Sequence, residues 1–149
     1  MRTATPPDIE ASWTSIDTFD KWRHLVRTAN ADHDALAILN FNDLNDEKGQ
    51  IVPASEVMLW TRENAAVPTV GFFDYTIADG ALCGVIQTGF EHGTLAAAMA
   101  LRILSGERAS DIPIMTTVQG LTMINLNTAS KLQIEIPALL LQEAAAIVE

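Results

Sequence analysis

The sequence predicts an α/β fold in which a parallel sheet carries helices on both faces, a Rossmann-like lobe. Three observations lead there. Apolar runs of strand length recur at 35–41, 69–73 and 80–87, as expected of parallel strands covered on both sides. Between and around them lie segments whose apolar residues fall three and four apart, the period of a helix face. The connections are short, and strict alternation of strand and helix is the pattern of βαβ wiring. A chain of 149 residues that is 48% hydrophobic suits a single domain, or one lobe of a larger protein, with a real core.

Residues 1–10 read as a flexible arm, because Pro6, Pro7 and Asp8 favour extended, solvated backbone. The rest, 11–149, reads as one α/β lobe. A short strand is expected at 11–16, then a helix capped by Ser15 or Asp17 with Phe19, Trp22, Val26 and Ala29 on one stripe. The strand at 35–41 runs into the polar, turn-rich "NFNDLNDEKGQ". Open α/β proteins place ligands at such carboxyl ends of buried strands. "PASEVMLWTREN" is a helix of about three turns, with Val57, Trp60 and Asn64 on one side. The strand at 69–73 ends in Asp74 and Tyr75, and a third strand covers 80–87.

The next helix has the clearest punctuation. Thr88 and Glu91 fit a capping box, and Gly106 stands where a left-handed residue ends a helix. Its stripe is Phe90, Thr94, Ala97, Leu101 and Leu104, and Ala96, Ala97, Ala98 and Ala100 allow close approach to a sheet. Pro113 lacks an amide donor, so "DIPIMTTV" predicts an edge strand or a crossover. A strand follows at 121–126, then a short helix capped by Asn127. Pro137 opens a last amphipathic helix bearing Leu140, Ala144 and Ile147.

Nine basic residues against nineteen acidic ones give a net charge of −10, which argues against nucleic acid and anionic membranes as partners. The single cysteine, Cys83, rules out an internal disulfide, and its apolar setting points to a buried inert thiol. No apolar run approaches the roughly 20 residues that span a bilayer. The start "MRTATPPDIEAS" lacks the apolar centre of a signal peptide, which leaves a cytoplasmic chain or a fragment as the expectations.

The motifs of nucleotide binding and of serine hydrolysis are absent, and no cofactor or metal is expected. Asp32, His33 and Asp34 could ligate a metal in principle, but they sit in a helix-to-strand turn with no second His or Cys close by in sequence. The histidines at 24, 33 and 92 are scattered and make no triad. The polar residues at predicted strand ends are Asn40, Asn42, Asp43, Asp74, Tyr75 and Asp79. Loop capping accounts for any one of them. Together, amides, carboxylates and a phenol at the tips of two successive strands suit a small polar ligand held by hydrogen bonds.

The stretch "VPTVGFFDYTIADGALCGVIQTGFEHGTLAAAMALRILSGERASDIPI", followed by "INLNTASKLQIEIPALLLQEA", resembles the C-terminal half of ABC-transporter substrate-binding proteins of the TrpX-like type. The shared pattern is the Pro-led strand at Pro68, Gly80-Ala81-Leu82, the Ala-rich helix ending at Gly106, Ile-Pro at Pro113, "NLNTA" from Asn125 to Ala129, and Ile-Pro at Pro137. The resemblance implies a type I periplasmic-binding-protein fold: two α/β lobes, joined by crossovers, that close on a small organic solute, amino acids among the candidates. It places crossovers near 87–90 and 112–120, and the helix before Gly106 in the other lobe. It also implies a periplasmic or extracytoplasmic location and a permease as partner.

Members of the family are about twice as long, so the first lobe lies outside this chain. The exposed side of the Ala-rich helix is then expected to find that missing lobe or a second copy of the chain, as a homodimer or a swapped arrangement. "GFFDY" resembles the variant fused to histidine kinases and cyclases, which implies a sensor domain as the alternative role. Two other classes remain open on the residues themselves: an α/β hydrolase-type enzyme using Asp74 or Asp43 as a base, and a module that only dimerises.

Overall fold

The computed structural model describes residues 9–116 and 120–149. In chain order the elements are α1 (Phe19–Asp32), β1 (Leu36–Ile38), α2 (Ala54–Asn64), β2 (Thr69–Gly71), α3 (Asp74–Ala78), β3 (Cys83–Ile86), α4 (Gly89–Leu104), β4 (Leu121–Asn125), α5 (Leu126–Lys131), α6 (Ala138–Glu143) and β5 (Ala146–Val148). They build a five-stranded sheet in the order β1-β2-β3-β4-β5. The β1–β2, β2–β3 and β4–β5 pairs are parallel, and β3–β4 is antiparallel. The fold class is the α/β one expected, with a mostly parallel sheet.

The reversal at β4 follows from where the chain leaves the sheet. Ile86 ends β3 and Leu121 begins β4 directly opposite it. The excursion through α4 therefore departs from and returns to one end of the sheet. A chain that re-enters at the end it left must run backwards, whereas a parallel strand needs a crossover to the far end. The two departures near 87 and 112–120 have this geometric result, although residues 117–119 of the second lie outside the described residues.

The core lies between α1, α2 and β1. Phe19, Trp22 and Val26 meet Ile38, Phe41, Leu44, Val57 and Met58, all buried. Fully burying such a side chain contributes about 1.5–3 kcal/mol. A polar bond inside this core is well made: the Trp22 indole N–H donates to Thr61 Oγ1 at 2.8 Å, and that hydroxyl donates to the Val57 carbonyl at 2.7 Å. Helix α3 lies against the middle of the sheet, over two glycines. A Cβ on Gly71 would stand 2.7 Å from Ile77 Cδ1, and one on Gly84 would stand 2.1 Å from the Gly71 carbonyl oxygen. Only glycine permits this approach.

Four local expectations are corrected. The segment 11–16 forms no strand. Trp13 is 76% exposed, so nothing buries a face that would fix one, and only an isolated bridge joins Thr18 to Asn45. Thr18, not Ser15 or Asp17, caps α1 by accepting from the Lys21 amide. Asn125, not Asn127, caps α5: it accepts from the Thr128 amide at 3.1 Å while donating to the Ile77 carbonyl at 2.8 Å. The last helix stops at Glu143, before Ala144 and Ile147. The chain instead adds β5 beside β4, with Ile147 paired to Ile124, because β-branched residues at a free sheet edge gain ladder bonds there. At Pro113 a short 3-10 turn over Ala109–Asp111 gives way to irregular chain through residue 116.

Candidate functional site

Three parallel strands put their carboxyl ends on one rim. Past β1 the chain carries Asn40, Phe41, Asn42 and Asp43, past β2 Phe72 to Tyr75, and past β3 Gln87. The tips of β1 and β2 are tied together. Asn40 Oδ1 accepts from both the backbone amide and the side-chain Nδ2 of Asn42 at 3.1 Å, a turn that asparagine closes on itself. Asn42 Nδ2 also reaches the Tyr75 hydroxyl at 3.4 Å. Tyr75 stacks on Phe73, with centroids 5.3 Å apart and planes 9° apart, and tilts against buried Phe41 at 5.9 Å. Asp74 Oδ1 accepts the Tyr75 amide at 2.8 Å, which starts α3 with its carboxylate at the positive end of the helix.

The structure thus brings Asn40, Asn42, Asp74 and Tyr75 together, with exposed Asp43 following Asn42 in the same loop. Asp79 is not with them. It ends α3 at the far side, next to the turn where Leu82 bonds the Thr69 carbonyl at the opening of β2. The sequence placed it beside a strand end without the short helix that carries the chain from one end of the sheet to the other.

Beside the rim is a hollow of about 460 Å³ lined by Phe72, Phe73, Val85, Gln87, His92 and Gly120. Its size falls in the range of small-ligand sites. Gln87 and His92 were missed as candidates. Gln87 was legible as the polar tip of the third strand, but His92 was not, because only the direction α4 takes from its Thr88 cap brings it to the hollow. Among the described residues, no lysine or arginine lines the hollow. Flat aromatic faces with amide, phenol, carboxylate and imidazole groups can stack on and hydrogen-bond a small solute.

Among the described residues no group of three or more His, Cys, Asp or Glu could hold a metal ion. Burial pushes the Cys83 thiol above its ordinary pKa, away from thiolate chemistry.

The sheet is mostly parallel, with a polar and aromatic rim at the tips of β1 to β3. The sequence pattern of the family described as ABC transporter substrate binding protein matches residues 22–148, and the chain belongs to that family. Three solved structures share the fold. A substrate binding protein with adhesive properties from Clostridium difficile, in its ligand-free open form, superposes with a TM-score of 0.67 at 19% identity, over 89% of this chain and 42% of that one. An ABC domain in complex with L-Trp from Streptococcus pneumonia gives 0.65 at 17%, over 89% and 44%. A conserved domain protein from Vibrio cholerae gives 0.64 at 18%, over 87% and 42%. The chain spans less than half the length of these structures. Comparison with curated protein sequences returns no match.

Proposed function

We propose that this chain is one lobe of a solute-binding protein serving an ABC-type transport system. It holds a small organic solute against the rim formed by Asn40, Asn42, Asp43, Asp74 and Tyr75, with Phe73, Gln87 and His92 beside it. The observation that carries this reading is the junction of two strand tips through Asn42 and Tyr75 next to the aromatic hollow. Material outside the chain, or a second copy, supplies the opposite wall of the cleft. In this reading the chain binds its solute and carries out no chemistry on it. The protein works outside the cytoplasm, delivering its solute to a permease, as membership of the family suggests.

The test is a thermal-shift screen of the chain against amino acids and other small organic solutes. It is repeated on a variant with both Asp74→Ala and Tyr75→Ala. At least one solute is expected to raise the melting temperature of the parent and to lose that effect in the variant. An unchanged shift in the variant would remove these residues from the site.

A further inference from the structure

We infer that Asn125 and Thr128 are positioning residues for the rim: they hold the carboxyl end of α3 and, through it, fix where Asp74 and Tyr75 stand. What this means for binding rests on the reading of the rim as a solute site; the geometry does not. The reversal at β4 makes the arrangement. Because β4 runs antiparallel to β3, Ile124 pairs with Cys83, and the last strand residue, Asn125, comes to the opening of β3. A parallel strand in this place would have carried Asn125 to the rim itself. Instead Asn125 and Thr128 lie beside the stop of α3, only 2% and 3% exposed.

Their hydrogen bonds converge on one turn. The Asn125 amide donates to the Leu82 carbonyl at 2.8 Å, and Asn125 Nδ2 donates to the Ile77 carbonyl at 2.8 Å. Asn125 Oδ1 accepts from the Thr128 amide at 3.1 Å, and the Thr128 hydroxyl donates to the Gly80 carbonyl at 2.9 Å. Gly80 needs that donor. Its φ of +137° turns the chain out of α3, and the residue is buried, so its carbonyl without a partner would carry the full cost of desolvation. Helix α3 needs the hold as well. Five residues are too few to stay helical alone, and the Ile77 amide lies 3.4 Å from the Phe73 carbonyl, a long bond. Tertiary contacts therefore set its place. The seat over Gly71 and Gly84 meets methyl groups of Thr76 and Ile77, which fixes how near α3 comes to the sheet and leaves it free to rotate or slide. The directional bonds at Ile77 and Gly80 remove that freedom. Tyr75 stands two residues before Ile77, about 3 Å along the helix axis, so a rotation at Ile77 reaches the phenol. The contact from Asn42 Nδ2 to the Tyr75 hydroxyl is already 3.4 Å, and a small displacement breaks it.

The test uses isotope-labelled chain without solute, so its outcome and that of the thermal-shift screen are independent. The readouts are the backbone amide resonances of Asp74 and Tyr75 and the nuclear Overhauser effect between the Asn42 side-chain amide and the Tyr75 ring. Thr128→Val keeps the branched shape and removes the hydroxyl; it is expected to shift both amides and to lose the Overhauser effect. Thr128→Ser restores the donor and is expected to return both readouts to those of the parent. Asn125→Ser keeps an α5 cap but lacks the reach to the Ile77 carbonyl, and is expected to act as Thr128→Val does. Val26→Ala opens a cavity in the α1 core and controls for lost stability alone: it is expected to lower the urea midpoint and leave Asp74 and Tyr75 unmoved. If Asn125→Ser does not fold, the two threonine variants decide the question. The inference is overturned if Thr128→Val moves residues 74 and 75 no more than Val26→Ala does, or if Thr128→Ser behaves like Thr128→Val.

Discussion

The two faces of the β1–β3 sheet are made from the same three strands and have opposite fates. On one, α1, α2 and α3 press so closely that two positions must be glycine and an indole finds a buried hydroxyl. On the other, Leu39, Phe72 and Val85 face outward, exposed and with no described helix across them. Each strand alternates, so a single residue step separates the most constrained positions from the freest. The covered face fixes the geometry of the rim.

That contrast can be broken from the covered side first. Phe41→Ala removes a ring that touches Trp22 and Tyr75 from a closed site, and should cost about 3–5 kcal/mol in urea unfolding while loosening the rim. Gly84→Ala drives a methyl into the Gly71 carbonyl and should cost about 3 kcal/mol by the same measurement. Thr61→Val leaves the Trp22 N–H without its acceptor and should cost about 1–3 kcal/mol, with a shifted tryptophan emission. By contrast, Leu39→Ala on the bare face should change the stability of dilute protein by less than about 0.5 kcal/mol. A loss at Leu39 matching that at Phe41 would mean the two faces are not different after all.

The smallest expected effect lies at the end of α4, where Arg102 Nε donates to Glu107 Oε2 at 2.7 Å. The hydrogen bond from Arg102 holds the Glu107 carboxyl below its ordinary value of 4.5. A carboxyl whose folded pKa is depressed contributes stability above the unfolded value and loses it as pH falls through the folded one. The Glu107 carboxyl resonance should therefore titrate with a midpoint under 4.5, and Arg102→Gln should move that midpoint upward.

Much of the sheet was legible because its strands are short apolar runs with polar tips. The runs at 35–41, 69–73 and 80–87 became β1 to β3, side by side and parallel, and the Thr88 cap and Gly106 stop of α4 lie where their chemistry puts them. What could not be read was set by long-range partners. β5 exists because β4 offers a free edge, and the Ala145 amide bonds the Thr122 carbonyl to start it, so a stripe with helical spacing ends as a strand. The antiparallel β4 depends on where the excursion returns, which local pattern does not encode. On the rim, Asn40, Asn42, Asp74 and Tyr75 were visible as strand-end polar residues. Asp79 was misplaced because a helix as short as α3 leaves little periodic signal.

The central claim is that solute is held at the joined tips of β1 and β2. The most direct measurement is an amide chemical-shift titration of isotope-labelled chain with the solute that gives the largest thermal shift. The account predicts that the resonances that move most belong to residues 40–43, 72–75 and 87. Movements confined to residues 18–23 and 45–48 or to residues 126–149, with the β1 and β2 tips unmoved at saturation, would contradict it.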